Sequence, residues 1–219
     1  MDEFLLPLFP LEIVLLPDEQ LPLHIFEDRY RQMIGECLQA GARGSGQQEF
    51  GIVLAKGDEM RSVGCTAQIV EVTKRYDDGR LDILTAGKRR FEILYTNEEK
   101  PYLRGGVEFF DDEPGDDTPP EADARSAIQQ FRSMVKRLQR IDEASLQFKR
   151  PYRHLSFQIA GPLPFTPEFK QGLLVNRNET ERLREVTKSL TQMTAEFDYL
   201  QEVRRKAGGN GHVRHRSSS

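Results

Sequence analysis

The sequence has no tryptophan, only two cysteines and only four histidines among its 219 residues. Two cysteines cannot build a zinc-binding RING. Cys37 and Cys65 fall in a helical and a strand pattern, so they read as buried, reduced thiols rather than a disulfide or a metal pair. His212 and His215 lie in the C-terminal tail, and His24 and His154 are far apart, so no pair has metal-ligand spacing within an ordered element. His24 reads as a packing or capping residue of a turn. No run approaches the roughly 18 apolar residues of a membrane span. Met1-Asp2-Glu3 is acidic and lacks the basic n-region of a signal peptide. Together these absences predict a cytoplasmic protein without metal, cofactor or membrane contact.

Catalytic signatures are missing as well. A phosphate-cradling loop needs G-x-x-x-x-G-K-[ST]. The only Gly-Lys, Gly87-Lys88, is followed by Arg89 and has Asp82 where the first glycine belongs. Gly41 to Gly46 (GARGSG) follows no strand and lacks dinucleotide spacing, so it reads as a loop. Asp77-Asp78 and Asp111-Asp112 read as turn and linker charge rather than as catalytic dyads. No catalytic or cofactor-binding residue is assigned.

What the chain does have is a charge asymmetry. Residues 1–110 carry a net charge of −6, residues 111–123 carry −7 and residues 124–219 carry +9. An acidic front and a basic back predict two units that attract each other. The first unit, 1–112, is β-rich, with candidate strands at 4–9, 12–16, 51–56, 65–75, 80–86, 89–96 and 103–110. Asp77-Asp78-Gly79 and Gly57-Asp58 are turn signals. Residues 113–123, within an acidic, proline-rich stretch starting at Asp111, read as a solvated linker. The second unit, 124–206, is helical. Ile128, Phe131, Val135 and Leu138 mark one helix face, and Arg125, Arg132, Lys136 and Arg140 mark another. Residues 153–160 form a short helix stopped by Gly161-Pro162. Thr166-Pro167 starts the next helix, and Asn178 to Glu181 carries a capping-box pattern for the last. In that helix Leu183, Val186, Leu190, Met193, Phe197, Leu200 and Val203 form a narrow seam. Residues 207–219 are predicted to be disordered.

The most specific stretch is Leu21-Pro22-Leu23-His24-Ile25-Phe26-Glu27-Asp28-Arg29-Tyr30, close behind Leu6-Pro7-Leu8-Phe9-Pro10-Leu11. The prolines impose short edge strands and turns. Helical periodicity then runs through Phe26, Tyr30, Met33, Ile34, Cys37 and Leu38, with Gly41 as its stop. These residues resemble the opening of the N-terminal, substrate-recognising domain of Lon-type ATP-dependent proteases. Further pieces are similar to that family in the same order: Gly51-Ile52-Val53 with Val63-Gly64-Cys65-Thr66-Ala67, Gly87-Lys88-Arg89-Arg90-Phe91, Tyr102 to Glu108, and Lys170-Gln171-Gly172-Leu173-Leu174 with Arg182-Leu183. Cys65 stands where the family often has Gly, and Val175 where it usually has Glu. The resemblance implies an α+β fold: a PUA-like β pseudo-barrel with one early helix, followed by an α-helical bundle with a long C-terminal helix. It also implies a stand-alone form without the ATPase or the Ser-Lys peptidase domain, hence a non-catalytic module.

Three functions follow for comparison. The first is recognition of unfolded polypeptides or partner proteins, with a separate Lon protease among the implied partners. Its candidate contacts are Tyr102, Phe109, Phe110, Phe165 and Phe169. Adjacent strand residues face opposite sides, so one of Phe109 and Phe110 is expected outside. The second is RNA binding through Lys74-Arg75, Lys88-Arg89-Arg90 and the basic helix stripe. The acidic barrel disfavours nucleic acid, and the competing reading is solvated strand ends. The third is self-assembly through the 183–203 seam, giving a monomer or weak homo-oligomer; packing within the bundle is the alternative. A cereblon-like receptor needs a tryptophan cage, which this chain cannot supply.

Overall fold

A computed structural model describes residues 5–42, 49–138 and 147–209. Strand β1 (Leu6–Leu11) is followed by β2 (Gln20–Ile25), helix α1 (Asp28–Ala42), and strands β3 (Glu49–Lys56), β4 (Glu59–Arg75), β5 (Leu81–Asn97) and β6 (Arg104–Phe110). Helices α2 (Glu121–Leu138), α3 (Leu155–Ala160), α4 (Pro167–Val175) and α5 (Glu179–Gly209) complete the chain.

The six strands form one mixed sheet in the order β2-β5-β4-β3-β1-β6. A further β5–β6 pairing closes β1, β3, β4, β5 and β6 into a ring, the expected pseudo-barrel. β1 runs parallel to β3, with Leu8 opposite Gly51. A parallel pair needs a crossover connection, which β2 and α1 supply. β2 hangs from the first half of β5, from Gln20 opposite Ala86 to Ile25 opposite Leu81.

Inside the ring, Phe91 packs with Leu6, Leu8 and Val53. Its ring lies where the Cβ of any larger residue at 51 or 64 would sit, 2.5 Å and 2.6 Å from those positions, which explains the two glycines of the 51–67 motif. The larger core lies outside the ring and is continuous from α1 to the helices, joining Met33 and Ile34 to Phe131, Phe157, Leu174 and Leu190.

Five expectations change. Residues 12–16 are not a strand; the second strand is Gln20–Ile25 instead. Val14, Leu15 and Leu16 are buried, but their segment folds into a turn in which Leu16 N–H donates to the Glu19 carboxylate at 3.0 Å and Asp18 N–H to the Gly87 carbonyl at 3.0 Å. The strands expected at 80–86 and 89–96 are one strand: Gly87 admits the Leu16 carbonyl alongside, and the pairing with β4 continues past it through a bulge between Gly87 and Arg90. Phe26 does not begin the buried face. The helix starts only at Asp28, and Phe26 is 59% exposed, stacked on the His24 ring. His24 itself is a surface partner of Asp82 at 2.5 Å rather than a cap. The helix stop expected at Gly41 gives way to a helix that continues to Ala42, and most of the 41–46 loop lies outside the described residues.

The helical starts are as read. Thr166 Oγ1 accepts from Phe169 N–H at 3.2 Å, and Asn178 Oδ1 accepts from Glu181 N–H at 2.9 Å. In α5, Leu183, Val186 and Leu190 are buried, Met193 and Phe197 are half-buried, and Leu200 and Val203 are exposed. The seam is therefore covered only at its start. The helix continues through Gly209, past the predicted limit at Ala207, and residues 210–219 lie outside the described residues. Among the described residues no helix is long and apolar enough to cross a membrane.

Barrel and helices meet at a buried ion cluster. The linker reading fails at Asp112. Its carboxylate is buried, 2.5 Å from Arg90 of β5 and 2.6 and 2.7 Å from Arg182 of α5. Arg90 is equally buried, which also overturns the solvated reading of that position in Lys88-Arg89-Arg90. Arg182 also meets Glu179 at 2.5 Å, and Glu179 accepts from the Ser156 hydroxyl at 2.7 Å and amide at 2.8 Å. Burial raises the Asp112 carboxyl, but hydrogen bonds and charge from Arg182 and Arg90 outweigh it and hold Asp112 below its ordinary value. Burial keeps Glu179 above its ordinary value despite Arg182.

Two predictions follow from this packing. Gly87→Ala places a Cβ 2.0 Å from the Leu16 carbonyl and is expected to cost about 1–3 kcal/mol in a denaturant titration. Asp112→Asn leaves two buried arginines underpaired and is expected to cost about 3–5 kcal/mol at pH 7. A lowered folded pKa stabilises above the unfolded value and is lost as pH falls through the folded one. The penalty of Asp112→Asn should therefore shrink below about pH 4. Chemical denaturation of both proteins across pH checks it.

Candidate functional site

β6 leads out of the barrel as Phe109-Phe110-Asp111-Asp112, and alternate residues face opposite sides. Phe110 turns toward the helical side, packed against the large core with Arg90 and Arg177 at its ring. Phe109 is the register partner of Phe91 and shares its face of the β5–β6 pair, yet is 37% exposed, with the Arg89 guanidinium 3.8 Å from the centre of its ring. Across from them lies the C-terminal end of α4, where Val175 is 50% exposed. Between these walls runs a groove of about 560 Å³, lined by Phe109, Arg89, Val175, Arg177, Glu92 and Glu108 among others.

The buried cluster fixes both walls. Arg90 donates to the Asn176 carbonyl at 2.8 Å and the Leu174 carbonyl at 3.3 Å, so the barrel caps the end of α4 directly. Gln171 of α4 donates to the Val63 carbonyl of β4 at 3.0 Å. Arg177 holds the Asp111 carbonyl at 2.9 Å and Glu113 at 3.0 Å. Arg89 pairs with Glu49 at 3.2 Å.

Of the five predicted contacts, the structure brings Phe109 and Phe110 to one groove. Tyr102 is 3% exposed and donates its hydroxyl to Glu36 at 2.6 Å, so its ring is not offered to a partner. Burial, then the Glu36 carboxylate, pushes that hydroxyl up to about 12. Phe165 and Phe169 pack on each other at 4.6 Å, half-buried, near the opposite end of α4. Sequence reasoning missed Val175, Arg89, Arg177, Glu92 and Glu108 as lining residues. Val175 carried a signal, as an apolar residue where the resembling family usually has an acid.

Elsewhere, Arg125, Arg132 and Lys136 of the basic stripe border a second groove of about 580 Å³ over Ile128, Phe148 and Tyr152; Arg140 lies outside the described residues. Cys37 and Cys65 are buried free thiols, and burial pushes Cys37 up to about 11. Among the described residues no group of three or more His, Cys, Asp or Glu side chains is placed to hold a metal.

Residues 5–192 match the family described as the ATP-dependent protease La (LON) substrate-binding domain. The chain is 26% identical over 209 residues to the Lon protease of Vibrio parahaemolyticus, covering 93% of this chain and 26% of that protein. It is 24% identical over 210 residues to the Lon protease of Escherichia coli K12, covering 91% of this chain and 26% of that protein. The chain thus spans about a quarter of the length of these curated relatives. Among solved structures, the Lon N-terminal domain protein of Xanthomonas campestris superposes with a TM-score of 0.63 at 24% identity, covering 84% of this chain and 96% of that one. The N-terminal domain of Mycobacterium avium complex Lon protease gives 0.60 at 18% identity, covering 86% and 98%. On the family match over most of its length, the chain belongs to the Lon substrate-binding domain family.

Proposed function

We propose that the chain is a non-catalytic polypeptide-recognition module that takes an extended segment of an unfolded or partner protein in the groove between β5, β6 and α4. The observation that carries this reading is that the exposed Phe109 and Val175 side chains line one groove, in a family described by substrate binding. An aromatic anchor beside a partly polar rim is the arrangement that concentrates binding energy at an interface. Barrel and helices act together here, because each supplies one wall. A separate Lon protease is a partner this reading accommodates. The two buried free thiols support a reducing, cytoplasmic setting.

The test is fluorescence anisotropy with labelled extended peptides rich in apolar residues. Phe109→Ala and Val175→Glu should each weaken binding about tenfold, a loss of about 1.4 kcal/mol, with melting temperature little changed. Binding that is absent, or indifferent to both changes, overturns the proposal.

A second reading rests on α5. Leu200, Val203 and Tyr199 are exposed beyond the part of the helix that packs on α2, an apolar stretch suited to weak self-association. Sedimentation equilibrium should show a concentration-dependent dimer that Leu200→Glu abolishes. A strict monomer at high concentration removes this reading.

A further inference from the structure

The rim of the groove holds two acids that the fold leaves without a cation. Glu92 of β5 and Glu108 of β6 are register partners, so both carboxylates stand on the same face of the β5–β6 pair. Both are exposed, and among the described residues neither takes part in an ion pair or hydrogen bond. Like charges directly opposite each other on a sheet are unfavourable, so the fold gains nothing from this pair. Asp111 stands at the same groove and adds a third acid.

The two arginines of the groove do not offset them, because each is already engaged. Arg89 is held by Glu49 and by the Phe109 ring, and Arg177 by Glu113 and the Asp111 carbonyl. The groove therefore presents net negative charge beside an apolar floor. A phosphate backbone would be repelled here, and a purely apolar segment would leave the carboxylates unmatched. We infer that the preferred occupant is an extended polypeptide carrying a lysine or arginine next to an apolar residue. The cation sits between Glu92 and Glu108, and the apolar neighbour lies against Val175, which lines the same groove. This deepens, and rests on, the reading of the groove as a polypeptide site.

The experiment uses the full chain and two labelled peptides that differ only by Lys→Gln next to a phenylalanine. Anisotropy is read at about 50 mM and about 300 mM salt, where exposed charge attraction differs in strength. The lysine peptide should bind about tenfold tighter at low salt, and Glu92→Gln/Glu108→Gln should erase that preference. Glu59→Gln/Glu71→Gln, elsewhere on the acidic barrel, should keep the preference. Equal binding of the two peptides overturns the inference, as does a preference that survives Glu92→Gln/Glu108→Gln or is lost with Glu59→Gln/Glu71→Gln. In those cases binding that still depends on Phe109 leaves the polypeptide reading standing. If neither peptide binds in a Phe109-dependent way, that reading falls and takes the inference with it.

Discussion

One carboxylate, Asp112, clamped between Arg90 and Arg182, sets how the barrel meets the helices. Each charge loses its hydration on burial, and the cluster persists because nearly every donor finds an acceptor. Asp112 receives three contacts, Arg182 also meets Glu179 and the Asn176 carbonyl, and Arg90 reaches that same carbonyl and the Leu174 carbonyl. A buried cluster of this kind is weak as net stabilisation, but intolerant of losing one member. Its geometric consequence is stronger than its energy. It ties β5, the end of β6, the end of α4 and the start of α5 to one point. The outward residues around that point, Phe109, Val175 and Arg177, thereby acquire fixed positions.

The strand alternation of β6 carries that order to the surface. Glu108, Phe110 and Asp112 share the parity that faces the helices, while Phe109 shares the face of its register partner Phe91. A one-residue slip of β6 would bury Asp111 and expose Asp112, so the ion cluster also fixes the register. The register in turn places Glu108 opposite Glu92, on the same face as Arg90 and Phe110. Core junction and groove rim are neighbouring parts of one face of the same pairing.

Local patterns gave away the parts of the fold that depend on local chemistry. The α1 face of Tyr30, Met33, Ile34 and Cys37, the turn at Asp77-Asp78-Gly79, and the caps Thr166 and Asn178 were all legible, because their causes lie within a few residues. The second strand was misplaced because Val14, Leu15 and Leu16 look like a strand by composition. Only the distant Gly87, which exchanges backbone hydrogen bonds with Asp18 and Glu19, shows that the segment turns instead. Arg90 and Asp112 read as solvated for the same reason: Asp112 lies 22 positions from Arg90 and 70 from Arg182. The charge asymmetry did point to attraction between front and back, though not to the single buried acid that carries it. For the groove, parity said that one of Phe109 and Phe110 lies outside without saying which, and the burial of Tyr102 was not legible, because its Glu36 partner is 66 residues away.

What sets the Glu92–Glu108 pair apart is that the two acids face each other across a ladder. Other acids of the barrel region sit in contacts: Asp82 with His24, Asp78 with Arg80, Glu99 with Arg104, and Glu36 of α1 with Lys100 and Tyr102. Two glutamates facing each other across a ladder cost on the order of 0.2–1 kcal/mol, a penalty that a lysine at either position would turn into a gain. Tyr102 shows what the same fold does with an aromatic ring and a carboxylate when the site is structural: it buries the ring and bonds the acid. At Phe109, with Glu92 and Glu108 beside it, the fold does neither. An aromatic ring left outside and two carboxylates left without a cation, held rigid from beneath by a buried ion cluster, form a surface complementary to a segment that is both basic and apolar.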